Sequence, residues 1–392
     1  MIIDRVKAVS GGPIACVLGE IDLLRALALG GIRSAVAASP GEPARYSRHA
    51  SELLERVDPW RRPEAAADSL IAFANEQSEP PVLFYDADWD LLLVSRLRSR
   101  LAEALRFVIP APELVEDLVD KARFQALAQR IELPVPAAVR LSGAVEPPAD
   151  LNLRFPVVVK PLTRHQETWR PITRGKAVQA ADAAALRALW QRFEGSDFET
   201  LVQEVVPGPE SAIESYHVYI DAGGDVAGEF TGKKLRTWPR KFGYSTALEI
   251  TASGEVRELG RELSRRLGLR GVAKFDFKRG PNGELKLLEV NPRFNLWHHP
   301  GALAGVNIPA LVYADLTDRP RPPSREARPG VRWCSLAHDA QAAHAAGIGR
   351  LRWARWALAC EAKSGFALDD PLPLPRALAS RLMLRLGRGP EG

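Results

Sequence analysis

Three side chains with oxygen ligands could act together at the end of one predicted β-hairpin. The hairpin covers residues 272–291 and turns at a Gly-Pro-Asn-Gly sequence. A tight turn there places Asp276 opposite Leu287. Because side chains alternate between the two faces of a strand, Glu289 and Asn291 then share the face of Asp276. Carboxylate and amide oxygens are ligands that Mg²⁺ prefers, so the pattern predicts a magnesium site.

The residues around these oxygen donors are apolar, which bears on what the donors do. Phe275, Leu288 and Val290 flank them in the two strands. Unpaired charge is costly in a buried strand, which favours a bound cation, whereas a solvated polar face is the alternative. Glu289 could bridge two ions, and two ions would neutralise a phosphoryl group during its transfer.

Lysine is rare in this chain, and two lysines stand at places that suit phosphate binding. Only 11 of the 53 basic residues are Lys. Lys160 ends the β-branched strand 155–160, and Lys121 lies at the start of a predicted helix. An ammonium group at the end of a buried strand can bind a phosphate. A salt bridge or a packed aliphatic stem is the alternative for each lysine.

The first third of the chain alternates strands with helices, which would place a sheet beside this site. Strands are predicted at 13–18, 34–38 and 81–85, with helices at 22–29 and 90–105. This rhythm is typical of a doubly wound parallel sheet of the α/β class. The turn at 19–22 could bind an anion, but it lacks the glycine fingerprint of a dinucleotide site, and a tight turn is the alternative.

Changes in composition divide the sequence into three parts. One boundary lies in the proline-rich stretch 108–112, and another lies at the Arg-Pro-Arg-Pro-Pro sequence that begins at Arg319. The predicted parts are an α/β domain at 1–110, an α+β domain at 111–318 with subdomains 111–206 and 207–318, and a proline-rich linker with a basic helical segment at 319–392.

The net charge of +5 belongs wholly to the end of the chain. Residues 1–318 carry 40 basic and 42 acidic side chains, and residues 319–392 carry 13 and 6. A near-neutral body without a basic face argues against a nucleic-acid partner. Three distant cysteines indicate neither a disulfide framework nor a zinc site, and no apolar run approaches the roughly 18 residues of a membrane span. Without a signal peptide pattern, the protein is expected to be cytoplasmic.

The order of these motifs resembles the ATP-grasp superfamily, which includes D-alanine–D-alanine ligase, biotin carboxylase and the carbamoyl phosphate synthase large chain. The similarity covers roughly residues 110–318. The elements that carry it are Lys121, Phe155-Pro-Val-Val-Val-Lys160-Pro161, Val202-Gln203-Glu204-Val205-Val206-Pro207-Gly208, Phe275-Asp276-Phe277 and Leu288-Glu289-Val290-Asn291-Pro292-Arg293. A branch of carboxylate–amine ligases and predicted carboligases, which includes D-aspartate ligase, also shares Gly232-Lys233-Lys234-Leu235-Arg236 and Asp370-Pro371-Leu372-Pro373.

The resemblance implies a two-subdomain ATP-grasp fold between the parallel-sheet domain and a C-terminal helical extension. It also implies sites for ATP and for Mg²⁺, as two ions, with Mn²⁺ as an alternative. By this resemblance phosphates would be held by Lys121, Lys160 and Lys176, adenine by the hinge strand at Gln203, Glu204 and Val206, ribose by Glu210, and the metal by Asp276, Glu289 and Asn291.

The same resemblance supplies the catalytic candidates. Arg293 would stabilise an anionic acyl phosphate or tetrahedral species, a role that suits a rigid guanidinium group. Lys234 and Arg236 would bind the γ-phosphate or the carboxylate substrate, with an ordinary basic strand face as the alternative. The chain departs from the family at the lid, because residues 161–169 contain no glycine, and Lys176 is the candidate that would replace the lid contacts.

The function implied is ATP-dependent ligation of a small-molecule carboxylate to an amine. The carboxylate would be activated as an acyl phosphate, and ATP would become ADP and phosphate. Two alternatives stay open: carboxylation or carbamoylation through carboxyphosphate, and a nucleotide-binding module that regulates a partner without turnover. The oligomeric state is not determined by the sequence, and a dimer is compatible with it.

Two other features have a structural and a functional interpretation. His298 and His299 follow the metal strand closely, and a core or surface role is favoured over acid–base chemistry. The segment 376–388 has the pattern of a basic amphipathic helix with leucines spaced by four residues, at Leu378, Leu382 and Leu386. Docking on the core is favoured for this helix, and weak attachment to an anionic membrane surface or an acidic carrier is the alternative.

Overall fold

In the part of the chain that the structure describes, the fold consists of three β-sheets and the helices that cover them, and most of the candidate site residues lie between the sheets. The computed structural model describes residues 11–143, 145, 147, 151–162, 169, 173, 176–193, 199–323 and 325–385. Its mixed α/β architecture confirms the predicted fold class. Within these ranges no helix is both long and apolar enough to cross a membrane.

The N-terminal sheet is parallel and has the strand order β3-β2-β1-β4. Its central strands are fully buried and apolar, as expected for a sheet with helices on both faces. Its elements are β1 (Ala15–Leu18), α1 (Ile21–Leu29), β2 (Ser34–Ala37), β3 (Ala50–Leu54), α2 (Pro63–Asn75), β4 (Val82–Tyr85), α3 (Asp88–Arg96) and α4 (Arg98–Ala102). The predicted helix 90–105 is therefore two helices, divided at Leu97.

The second sheet is antiparallel and has the order β5-β8-β6-β7. Val157, Val158 and Val159 are buried in β6, where their branched side chains pack against neighbouring strands. The elements of this region are α5 (Pro112–Val119), α6 (Lys121–Arg130), β5 (Ala138–Ser142), β6 (Val157–Pro161), β7 (Val178–Ala180), α7 (Ala183–Trp190) and β8 (Glu199–Glu204). Asp120 caps α6 by accepting the backbone N–H groups of Ala122 and Arg123.

The third sheet has seven strands, in the order β13-β12-β9-β10-β11-β14-β15. All neighbours are antiparallel except β14 and β15, and α8 covers part of the sheet. Its elements are β9 (Ile213–Ile220), β10 (Val226–Trp238), β11 (Tyr244–Thr251), α8 (Gly254–Arg266), β12 (Gly271–Arg279), β13 (Leu285–Asn291), α9 (His298–Leu303), α10 (Ile308–Leu316) and β14 (Arg332–Ser335), followed by α11 (Leu336–Ala345), α12 (Arg350–Ala359), β15 (Ala362–Ser364) and α13 (Pro373–Arg385).

The register of the β12–β13 hairpin differs from the prediction. Asp276 lies opposite Glu289 and not opposite Leu287, which pairs with Phe277. Two one-residue shifts add up to this offset. The turn is one residue longer than predicted, so that Gly280 pairs with Glu284, and a β-bulge lies between Asp276 and Phe277. Asp276 and Glu289 nevertheless share a face of the sheet, and Asn291 lies two residues further along the same strand.

The C-terminal segment is bound to both other parts of the chain. Strands β14 and β15 extend the large sheet, which the sequence did not lead us to expect. The buried carboxylate of Asp370 accepts hydrogen bonds from Arg25 Nη2 at 3.2 Å, from Ser47 Oγ at 2.8 Å and from the Arg48 backbone at 3.0 Å. These bonds tie the end of the chain to the N-terminal domain.

Candidate active site

A cavity of about 600 Å³ lies where the three sheets meet, and most of the predicted site residues line it. The predicted residues on its wall are Lys121, Lys160, Lys176, Gln203, Glu204, Val206, Glu210, Lys234, Asp276, Glu289, Asn291 and Arg293. Arg236 does not line it. Residues more than a hundred positions apart in sequence therefore converge on one space, which is the geometry of a binding site.

Asp276 is at the centre of a buried charge cluster in this cavity. Its Oδ2 accepts hydrogen bonds from Lys234 Nζ at 3.0 Å and from Lys274 Nζ at 2.8 Å. Its Oδ1 accepts from Ser215 Oγ at 2.5 Å, across the β9–β12 pair. Burial opposes the ionised carboxylate, but the two ammonium groups prevail and hold the pKa of Asp276 well below its usual range.

Lys274 was not identified from the sequence, although a signal was present. It lies two residues before Asp276 on β12, so the period of two already placed both side chains on one face. Burial lowers the pKa of Lys274, while the Asp276 carboxylate opposes that shift. The cavity therefore contains a second buried lysine next to the predicted Lys234.

Glu289, Asn291 and Arg293 form a hydrogen-bonded chain along β13 and the residues after it. Asn291 Nδ2 donates to Glu289 Oε1 at 3.0 Å, and Arg293 Nη2 donates to Asn291 Oδ1 at 3.4 Å. The Arg293 guanidinium also binds the Asp88 carboxylate and, at 2.6 Å, the Asp86 carbonyl. Arg293 therefore connects the predicted metal strand to the N-terminal domain.

The two predicted phosphate lysines are held at the ends of neighbouring elements. Lys160 Nζ donates to Gln203 Oε1 at 2.8 Å, so β6 and β8 orient it together. Burial lowers the pKa of Lys160. Lys121 opens α6, and its Nζ donates to the Leu162 carbonyl at 3.1 Å. Both lysines line the cavity, where they could bind one polyphosphate.

The predicted hinge at 203–206 lies at the end of β8 and carries a contact that was not expected. The Glu204 carboxylate accepts two hydrogen bonds from Arg154, one from the backbone N–H and one from Nη2, both at 2.9 Å. Beyond the hinge, Glu210 accepts from Lys278 Nζ at 3.4 Å. Lys176 stands over the Tyr244 ring. Most of the predicted lid, residues 163–168, lies outside the described residues.

The N-terminal domain adds acidic residues to the cavity that sequence reasoning did not assign. Glu20 and Asp86 follow β1 and β4, and both line the cavity. The strand order reverses between β1 and β4, and ligands of open α/β sheets bind outside the carboxyl ends of strands at such a point. The Asp86 carboxylate accepts a hydrogen bond from the Glu20 backbone N–H at 2.7 Å. Asp86 therefore lies at the turn 19–22, for which the sequence suggested a bound anion.

Burial and the neighbouring Glu20 carboxylate raise the pKa of Asp86 to about 8. The folded protein therefore keeps this group protonated at a pH where the unfolded chain has ionised it, and stability falls as the pH rises from about 4 to about 8. Asp86→Asn keeps an acceptor for the Glu20 N–H and cannot ionise. We expect its melting temperature to match wild type near pH 4 and to exceed it by several degrees near pH 8. A difference that stays constant over this range would contradict the raised pKa.

Arg236 lies outside the cavity and has a different set of partners. Its Nε and Nη2 donate to the two oxygens of Asp339 at 2.8 and 2.7 Å, and its guanidinium stacks over Trp356 at 4.0 Å. Asp339 is fully buried and also accepts from Thr246 and Trp353. The structure thus places Arg236 in a contact between β10 and the C-terminal helices.

The two histidines after the metal strand lie in the core, as favoured from the sequence. His298 is fully buried among aromatic rings, including those of Phe230 and Phe294, and burial lowers its pKa to about 3. His299 Nδ1 lies 3.0 Å from the Asp22 carboxylate. Neither residue lines the cavity.

The donor set partly fits a magnesium ion. In the described part of the chain, no three His, Cys, Asp or Glu side chains are grouped as metal ligands. Glu289 and Asn291 nevertheless bring hard oxygen atoms to the cavity, which suits Mg²⁺ shared with phosphates. Both oxygens of Asp276 already accept hydrogen bonds, so an ion at Asp276 would replace one of the ammonium groups there.

Comparisons with known proteins agree with this arrangement. Residues 197–338 match a family model described as ATP-grasp in the biosynthetic pathway with Ter operon. The chain is 24% identical over 306 residues to D-aspartate ligase of Enterococcus faecium (strain Aus0004), covering 74% of this chain and 71% of that protein. It is 27% identical over 210 residues to D-alanine–D-alanine ligase of Stutzerimonas stutzeri (strain A1501), covering 51% and 65%.

Solved structures show the same fold at low sequence identity. L-amino acid ligase from Bacillus licheniformis has a TM-score of 0.59 at 15% identity, over 79% of this chain and 75% of that one. N5-carboxyaminoimidazole synthetase from Staphylococcus aureus, complexed with ADP, has a TM-score of 0.60 at 15% identity, over 83% and 82%. The family model, the ligase relatives and the shared fold together support an ATP-grasp superfamily ligase. Within that superfamily it is an ATP-dependent ligase.

Proposed function

We propose that this ligase activates a small-molecule carboxylate as an acyl phosphate and transfers the acyl group to an amine. The observation that carries the proposal is the single cavity in which buried lysines, the Asp276–Glu289 face and the N-terminal carboxylates meet. Such a cavity can hold ATP on one side and a second substrate on the other. The similarity to D-aspartate ligase and L-amino acid ligase supports the same reaction class.

In the proposed first step, a carboxylate oxygen attacks the γ-phosphorus of ATP, the bond to the β–γ bridging oxygen breaks, and ADP leaves. Lys121 and Lys160 bind the phosphates, and Lys234 lies near the transferred group. These fixed cations lower the barrier by stabilising charge on the phosphoryl oxygens. A magnesium ion held by Glu289 and Asn291 would supply further charge neutralisation.

In the proposed second step, the amine nitrogen attacks the acyl carbon, phosphate leaves, and the nitrogen loses a proton. Glu20 and Asp86 face the cavity from the N-terminal domain, and whichever of the two is ionised would attract a cationic amine. A carboxyl group with a pKa near neutrality is suited to accept that proton, which makes Asp86 the candidate base. The hinge 203–206 and Glu210 would hold adenine and ribose.

The base role predicts a selective defect in Asp86→Asn. Transfer to an amine substrate requires loss of its proton, whereas hydroxylamine is largely uncharged at neutral pH. We expect the variant to slow amine transfer by about tenfold or more and to leave hydroxylamine trapping closer to wild type. Measuring both rates on the same enzyme preparation tests this, and an equal loss in both would contradict the base role.

The experiment that tests the function combines ATP turnover with trapping of the intermediate. Purified enzyme, ATP and Mg²⁺ are incubated with a panel of amino acids and other carboxylic acids, with hydroxylamine present. The proposal expects one class of acid to stimulate ADP and phosphate release and to yield a hydroxamate. If no acid in a broad panel stimulates ADP release, the proposal fails.

Carboxylation through carboxyphosphate is a second candidate function. The observation that favours it is the fold shared with N5-carboxyaminoimidazole synthetase over most of both chains. Bicarbonate would then replace the carboxylate substrate at the same cavity. ADP release that requires bicarbonate and no other acid would support this candidate and exclude the acyl phosphate.

A further inference from the structure

The C-terminal helices expose an unusual share of the apolar side chains on the surface. Of the fifteen large hydrophobic side chains that the described residues expose, nine lie between Leu351 and Leu384. That stretch is a small part of the chain, so the apolar surface is concentrated there. A single exposed leucine is ordinary, whereas a concentration of them marks an interaction surface.

Helix α13 docks on the protein with one face and exposes leucines on the next. Pro373 and Ala377 are buried, and Arg381 Nε donates to the Gly41 carbonyl at 2.8 Å. These positions are spaced by four residues and form the docked row. Leu378 and Leu382 form the adjacent row and are 54% and 59% exposed. The helix therefore docks on the core, as the sequence favoured, but through the row of Pro373, Ala377 and Arg381, while Leu378 and Leu382 face solvent.

Helix α12 also packs on the protein with one face and exposes leucines on another. Trp353, Trp356 and Ala357 pack against the cluster around Cys334. Leu351 and Leu358, one heptad apart and so on one face, are 84% and 77% exposed. The two helices thus present the same surface pattern, although they are separated by the β15 strand.

The charge of both helices has one sign. Residues 350–359 and 373–385 contain no Asp or Glu. Their arginines are Arg350, Arg352, Arg355, Arg376, Arg381 and Arg385. These two helices therefore carry exposed leucines beside guanidinium groups and have no carboxylate of their own. Such a surface complements one that is anionic outside and apolar beneath.

We propose that α12 and α13 bind this protein to the surface of an anionic phospholipid bilayer. The leucines would enter the boundary between headgroups and acyl chains, and the arginines would bind the headgroup phosphates. A symmetric contact between two copies would bring the same arginines against each other, which disfavours a second copy as the occupant. A membrane also accepts convex, separate leucines, whereas a protein partner needs a shaped complement.

Flotation of the full chain with vesicles tests the proposal. Vesicles of phosphatidylcholine with about 30% phosphatidylserine are compared with pure phosphatidylcholine, at about 0.1 M and about 0.5 M salt. Wild type is expected to float with the anionic vesicles only, and less so at high salt. The double variant Leu378→Ser, Leu382→Ser should reduce bound protein by about tenfold, and Leu351→Ser, Leu358→Ser should also weaken binding. The matched control is Leu53→Ser, an equally exposed leucine on the N-terminal sheet.

Several outcomes would overturn the proposal. These are no flotation, equal flotation with neutral vesicles, or flotation that Leu53→Ser reduces as much as the helix variants do. A dimer in light scattering that the helix variants dissociate would assign the surface to a second copy. Binding to polyglutamate without binding to vesicles would assign it to an acidic protein. Unchanged melting temperatures and ADP release show that each variant is folded.

Discussion

Changing Glu289 to Gln should reduce ADP release by about a hundredfold to a thousandfold at saturating ATP. The substitution keeps the size of the side chain and removes its charge. Glu289 lies directly opposite Asp276 and accepts a hydrogen bond from Asn291 at 3.0 Å, so it is at the centre of the proposed metal face. The variant should also need more Mg²⁺, which is measured by titrating the metal at fixed ATP.

A matched control separates this role from a general effect of losing a carboxylate. Glu249 lies on β11 of the same sheet, is also partly buried, and binds Lys233 and Arg332 outside the cavity. Glu249→Gln should therefore keep ADP release within about twofold of wild type. Equal losses in the two variants would show that Glu289 acts through the sheet and not through the site.

The parts of the fold that the sequence predicted are those with strong local patterns. Val157–Val159 is an uninterrupted β-branched run, and the 272–291 hairpin carries its own turn. The predicted hairpin register was wrong because the turn is one residue longer than expected and because a bulge at Asp276 has no signature in the residue types. Asp276 and Glu289 still share a face, because the two shifts together move the pairing by two residues, which is the period of a strand.

An irregular strand pairing also explains why Arg236 lies outside the cavity. Lys234 and Arg236 are two residues apart, and regular alternation would direct both side chains to one face. The β10–β11 pairing shifts between these residues and again after Arg236. Lys234 therefore reaches Asp276, while Arg236 reaches Asp339. Irregularities of this kind depend on the neighbouring strand, which the sequence of β10 does not show.

Other site residues could not be found because their role depends on distant segments. Glu20 and Asp86 follow short strands and have no motif of their own, and only the sheet order brings them to the cavity. Likewise β14 and β15 are short, and the pairing of β14 with β11 and of β15 with β14 comes from tertiary contacts and not from a pattern. The N-terminal domain was predicted as a fold but not as a wall of the site.

The strongest test of the site geometry uses two adjacent lysines on β10. Lys234 Nζ lies 3.0 Å from Asp276 in the cavity, whereas Lys233 is half-exposed on the other side of the strand and lies 3.5 Å from Glu249. Burial lowers the pKa of Lys234, but Asp276 and Glu289 outweigh this effect and raise it, so the group stays charged at neutral pH. One position thus offers a fixed cation to a phosphoryl group, and its neighbour does not.

We expect Lys234→Met to lower kcat/KM for ATP by about a hundredfold or more, because a cation aimed at the transferred phosphoryl group is lost. Lys274 still binds Asp276 in this variant, so the buried carboxylate keeps a partner and the fold is retained. Lys233→Met should stay within about twofold of wild type. Steady-state ADP release and melting curves for both variants are the measurements. Equal rates of ADP release in the two variants would show that Lys234 has no role in the site, since the two substitutions differ only in the face of the strand that they change.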